Sequence, residues 1–167
     1  IIKEKSVERL MAELKLPQVK ACQIIACFEL GRRFFMEDTG RLPTIRAAED
    51  VYKYLSPEMA KLKKEQFRGL YLNSRNKLIY DEVISIGTLT ANLVHPREVF
   101  QPAIEFSSAA IILAHNHPSG EPEPSEDDIA ITKQLVSASQ ILNIAILDHI
   151  IIGRGQYVSL KEKGVLC

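Results

Sequence analysis

Apolar positions along this chain alternate between two periods, one helical and one close to strand-like. Ser6 to Leu14 and Val19 to about Met36 repeat apolar residues at helical spacing and are parted by Leu16-Pro17, so a helical hairpin is predicted at the start. Glu37 to Pro43 is polar and broken by Gly40 and Pro43, which predicts a boundary near residue 44. The expected organisation is a helical region over 1–38, a linker over 39–44 and a main domain over 45–167. In that domain Thr44 reads as the cap of a helix from Arg46 to Leu55, and Ser56-Pro57 as the opening of a second one reaching Lys64.

Beyond them, Gln66 to Leu72 and Lys77 to Ile86 are β-rich runs joined by Asn73-Ser74-Arg75-Asn76, a hairpin signal. Pro96 to Phe106 is helix-like, Ala109 to His117 is a strand apolar on both faces, and Glu126 to Leu142 is a long helix. Ile144 to Ile152 and Gln156 to Leu160, turned by Gly153-Arg154-Gly155, predict a final hairpin. The fold class is therefore α/β or α+β, a mixed sheet flanked by helices.

The densest chemistry sits where the buried strand ends, at His115-Asn116-His117. Residues i and i+2 of a strand point the same way, so both imidazoles face one side and Asn116 the other. Pro118, Gly120, Pro122 and Pro124 force a turn, and Ser125 reads as the N-cap of the next helix, with Asp128 in its first turn. Two imidazoles, a carboxylate and a fourth position open to water form the ligand set of a catalytic zinc. Ser125 and Asp128 also fit a capping pair, and Glu126 and Asp127 share the same turn.

His115-x-His117, seven residues, Ser125, two residues, Asp128 resembles the JAMM (MPN+) metalloprotease signature at each of its four positions. The loop His-Asn-His-Pro-Ser-Gly is similar to the RadC branch, and the likeness runs from about Ile45 to the C-terminus, through Pro96-Arg97-Glu98-Val99-Phe100 and Leu147 to Gly153. The resemblance implies a JAMM/MPN-like, cytidine-deaminase-like core and a zinc-dependent hydrolase cleaving a peptide or isopeptide bond. It implies His115, His117 and Asp128 as ligands of Zn2+, and Ser125 as a donor to the oxyanion. The general base would be a glutamate at the head of the first core strand, where Glu65 fits better than its rival Glu98 in the helix before the histidine strand.

Relatives of the RadC type also carry a helix-hairpin-helix-like element associated with DNA, so the alternative function is a DNA-repair-associated DNA-binding or protein-interaction module whose metal site has no catalytic consequence. Here the corresponding turn, Lys15-Leu16-Pro17-Gln18-Val19, has no glycine to let backbone N–H groups approach phosphate; Lys20, Arg32 and Arg33 read mainly as solvated helix faces. Lys plus Arg and Asp plus Glu number 21 each, so no basic surplus favours nucleic acid. A zinc nucleoside deaminase would need His-x-Glu and Pro-Cys-x-x-Cys, neither of which occurs.

Three cysteines without framework spacing fit a reducing cytoplasm, and Cys22 and Cys27 read as small core residues. No apolar run approaches the ~20 residues of a membrane span. His95 and His149 stay outside the metal set: they read as structural histidines, with a place behind a ligating imidazole as the alternative for either. The chain opens on Ile1 rather than Met and is expected to be part of a longer protein.

Overall fold

The structure, a computed structural model, describes residues 7–38, 42–87 and 94–166, without the side chains of residues 8–10, 13 and 32–38. It divides into two compact units, Ile1–Arg41 and Leu42–Cys167. In the first, α1 (Val7–Leu14) and α2 (Gln18–Asp38) are joined through Lys15 at φ 50°, and the Pro17 carbonyl accepts from Ala21 N–H, so the proline opens the second helix. Among the described side chains of this unit only Ala21 is buried. Cys22 and Cys27 are exposed, which corrects their reading as core: a helix pair offers too little inner face to cover both. Lys20 is exposed, while Arg32 and Arg33 lie outside the described side chains.

The second unit is built on one mixed sheet in the order β2-β1-β3-β4-β5. β1 (Gln66–Leu72) pairs antiparallel with both β2 (Leu78–Ile86) and β3 (Ala110–Asn116), β3 runs parallel to β4 (Ala145–Ile152), and β4 turns back into β5 (Tyr157–Ser159). Every residue of β3 is buried, as the apolar run Ala110–Ala114 requires of a central strand. On one face α3 (Ala48–Met59) packs Val51, Leu55 and Met59 against Leu70, Leu72, Ile112, Ala114 and Ile150. On the other, α4 (Pro96–Glu105) and α5 (Glu126–Leu142) bring Val99, Phe100, Ile131 and Leu135 against Phe67, Tyr71, Ile111 and Leu113.

Two local expectations change. Thr44 caps nothing: it bridges Lys77, and Ile45 N–H donates to Asn76, so Pro43 to Ile45 lie along the start of β2. The helix starts at Ala48, where Asp50 accepts from the backbone N–H of Arg46 and Ala47. It also runs through Ser56-Pro57 without a break, because a proline so near the helix end sacrifices a single intrahelical bond while Leu55 and Met59 stay buried. The mixed sheet flanked by helices is the architecture expected. Among the described residues no helix is long and apolar enough to cross a membrane.

Candidate metal centre

At the C-terminal end of β3 the i, i+2 spacing does what strand geometry demands: His115 and His117 lie on one side, with Nε2 atoms 3.0 Å apart. The loop after them returns to the sheet through main-chain bonds. Gly120 N–H donates to the His117 carbonyl, and the Gly120 carbonyl accepts from Arg154 N–H at 2.8 Å. Gly153 permits this contact, since a Cβ there would lie 2.4 Å from the Gly120 oxygen. The loop then delivers Ser125 as the N-cap of α5, and Asp128 as its third residue.

Asp128 serves two ends. Its Oδ2 accepts from the Ser125 backbone N–H at 2.8 Å and from the Ser125 hydroxyl at 2.6 Å, completing a capping box. Its Oδ1 stands 3.1 Å from His115 Nε2, and Oδ2 stands 3.4 Å from His117 Nε2. The capping pair and the histidine-facing carboxylate, two readings of the same residues, are thus both present. His115 and Asp128 are fully or almost fully buried; His117 is partly exposed.

Hydrogen bonds around this group decide where its protons lie. His117 Nδ1 is 2.8 Å from the Glu121 carbonyl, which can only accept, so Nδ1 carries the hydrogen and Nε2 turns a lone pair inwards. His115 Nδ1 faces His149 Nε2 at 2.8 Å. Phe67, paired across the sheet from His115, stacks at 6.2 Å from its ring and meets the His149 ring edge-on. This apolar floor favours neutral imidazoles. Burial lowers the pKa of His115 despite Asp128, and burial with the neighbouring His115 holds that of His149 far below its usual value. The hydrogen bond to Asp128 raises the pKa of the more exposed His117. Burial pushes the Asp128 pKa up, but the neighbouring His115 and His117 and the Ser125 hydroxyl prevail and hold it well below the carboxylate range.

The donor set fits a small divalent cation. Lone pairs of two imidazoles and one carboxylate converge, with one ligand atom from each of His115, His117 and Asp128 within 4.8 Å of the others. Their closest separations, 3.0, 3.1 and 3.4 Å, bracket the ~3.3 Å edge of a tetrahedron with the ~2.0–2.1 Å bonds of zinc to nitrogen and oxygen.

Glu65 immediately precedes β1, two residues from Phe67, and its charge raises the proton affinity of both His115 and His117. Its own carbonyl accepts from Gly87 N–H. Glu98 lies in α4 and lines a separate groove with Tyr80, Glu82 and Phe106. His95 is exposed at the start of α4. His149, read as a structural histidine, touches a site residue directly, and Thr132 in α5, which drew no attention as sequence, is its partner at 2.6 Å. The only sequence signal for Thr132 is its place one helical turn after Asp128.

The RadC-like JAB domain family model matches residues 45–165. The UPF0758 protein of Methanococcoides burtonii is 56% identical over 149 residues, covering 88% of this chain and 64% of that protein. The UPF0758 protein of Methanosarcina mazei is 50% identical over 161 residues, 95% of this chain and 69% of the relative. That of Bacillus cereus (strain B4264) is 48% identical over 164 residues, 98% and 73% respectively. The chain thus spans about two thirds of the length of these curated relatives. With the matched segment holding the whole sheet and the clustered histidines and aspartate, this chain belongs to the RadC-like JAB domain family.

Proposed function

We propose that this chain is a zinc-dependent hydrolase of the JAMM type, acting on a peptide or isopeptide bond in a protein substrate. The observation that carries the reading is the convergence of lone pairs from His115, His117 and Asp128 beside the charge of Glu65. His115, His117 and Asp128 would hold the ion. Zinc, when bound, supplies a Lewis acid that brings the pKa of a coordinated water to near 7.

Glu65 accepts a proton from the attacking water and returns it to the nitrogen of the leaving amine. Ser125 is exposed and turns its hydroxyl from Asp128 Oδ2 to the carbonyl oxygen as negative charge develops there. The Ser125 backbone N–H stays on Oδ2, so the carboxylate keeps a partner through this rotation. The partly exposed rim at His117 leaves a side open to substrate, while Phe67 and His149 keep the rear dry.

Elemental analysis of the purified chain tests the site, and peptide and isopeptide libraries test the reaction. One zinc per chain is expected, lost in His117→Ala and in Asp128→Ala. Glu65→Gln should keep the zinc and abolish cleavage. Zinc retained without His117, or cleavage by Glu65→Gln at the native rate, would overturn the reading.

A further inference from the structure

Behind His115 a line of hydrogen bonds runs through the unit from α5 to β4 to β3. Thr132 Oγ1 lies 2.5 Å from the Asp128 main-chain carbonyl and 2.6 Å from His149 Nδ1, and His149 Nε2 lies 2.8 Å from His115 Nδ1. Thr132, His149 and His115 are all buried, so water supplies none of the protons.

The line has a direction. A carbonyl oxygen carries no hydrogen, so the single hydroxyl proton of Thr132 must sit between its oxygen and Asp128 O; otherwise two acceptors would face each other at 2.5 Å. Thr132 can then only accept from His149, which puts the His149 hydrogen on Nδ1 and leaves Nε2 bare. His115 must in turn donate from Nδ1, which leaves its own Nε2 bare towards His117 and Asp128.

The opposite order also makes a chain. His149 Nε2–H would donate to His115 Nδ1, and His115 Nε2–H would donate to Asp128 Oδ1, closing the nitrogen that faces the other ligands. Against it stands the 2.5 Å contact of Thr132 with the Asp128 carbonyl; in its favour, without a cation, stands the repulsion between a bare His115 Nε2 and the Asp128 carboxylate and His117 Nε2 it faces.

We infer that Thr132 and His149 are positioning residues which, by passing one hydrogen-bond direction from the Asp128 carbonyl to His115, fix the tautomer that presents Nε2 as a ligand. The backbone carbonyl and the side-chain carboxylate of Asp128 thus act on the same imidazole from two sides, one ordering its hydrogen and the other sharing its cation. Outer groups that orient a ligating histidine are worth about 10- to 100-fold in metal affinity. Placing His149 here takes a β-bulge. The pairing of β3 with β4 shifts by one residue between Ile111/Ile146 and Ile112/Asp148, so that His149 stands opposite Leu113, on the α5 side.

The affinity readout rests on the metal-ligand reading above; the tautomer readout does not. Nitrogen-15 histidine spectra of the metal-free chain, at alkaline pH where the imidazoles are neutral, should show the Nδ1–H form at both His115 and His149. Thr132→Val, which keeps the shape and removes the hydroxyl, should move His115 to the Nε2–H form and weaken zinc, measured by chelator competition, about 10- to 100-fold. Thr132→Ser should restore both. An Nε2–H form at His115 in the unmutated chain, or a Thr132→Val variant with unchanged tautomer and unchanged zinc affinity, would overturn the inference. Tautomers that respond as stated in a chain that takes up no zinc would support the relay and remove the metal reading instead.

Discussion

Asn116 grips the main chain on both sides of Glu65: its Oδ1 accepts from Gln66 N–H at 2.9 Å and its Nδ2 donates to the Lys64 carbonyl at 3.2 Å. The side chain between the two histidines therefore points to the opposite face of β3, as strand alternation requires, and fixes the backbone that carries the proposed base. Asn116→Leu keeps the branched shape, at somewhat larger volume, without either bond. The expectation is a chain that binds zinc normally and cleaves at least tenfold more slowly, because small misplacements of a catalytic group are costly. An equal loss of zinc and of activity would mean that Asn116 supports the ligands instead.

Gly153, just after β4, is a point of close contact with the loop between His117 and Ser125. Beyond the Gly120 oxygen, a Cβ at Gly153 would sit 2.9 Å from Pro122 Cδ, and neither neighbour is the free end of a long side chain. Gly153→Ala should destabilise the fold by about 1–3 kcal/mol through overpacking and should weaken zinc binding as the loop between His117 and Ser125 is displaced. Thermal denaturation with and without zinc separates the two effects.

Ser125 combines an N-cap with a hydrogen bond to the Asp128 carboxylate. Ser125→Ala removes the hydroxyl that donates to Asp128 Oδ2 and accepts from Asp128 N–H, and should cost about 1 kcal/mol of stability. Ser125→Thr keeps the hydroxyl and should recover most of that stability, as read by urea denaturation. On the proposed function Ser125→Ala also slows cleavage in the presence of saturating zinc.

On the proposed function, zinc and protons compete for the same lone pairs. Its bond with Asp128 raises the pKa of His117 above the ordinary histidine value of about 6.5, so at and below that pH a proton holds the Nε2 that the metal needs. Apparent zinc affinity should therefore rise with pH through the His117 titration and level off above it, by about tenfold per pH unit if one proton is released. Isothermal titration in buffers of different ionisation enthalpy counts the proton directly. An affinity independent of pH across this range would contradict the assignment of His117.

The sequence alone determined whatever depends on neighbours along the chain. Strand alternation put His115 and His117 on one side and Asn116 on the other; the box of Ser125 and Asp128 opened α5; and the apolar run from Ala110 marked the central strand. Those signals are local because pleating and capping act over two to four residues. Only the tertiary structure decided the rest. The bulge in β4 that turns His149 towards α5 exists only in register with β3, and the meeting of His149 with Thr132 joins elements that no sequence period relates. The continuity of α3 through Pro57 likewise follows from burial of Leu55 and Met59 beneath the sheet, which outweighs the local preference of proline to end a helix.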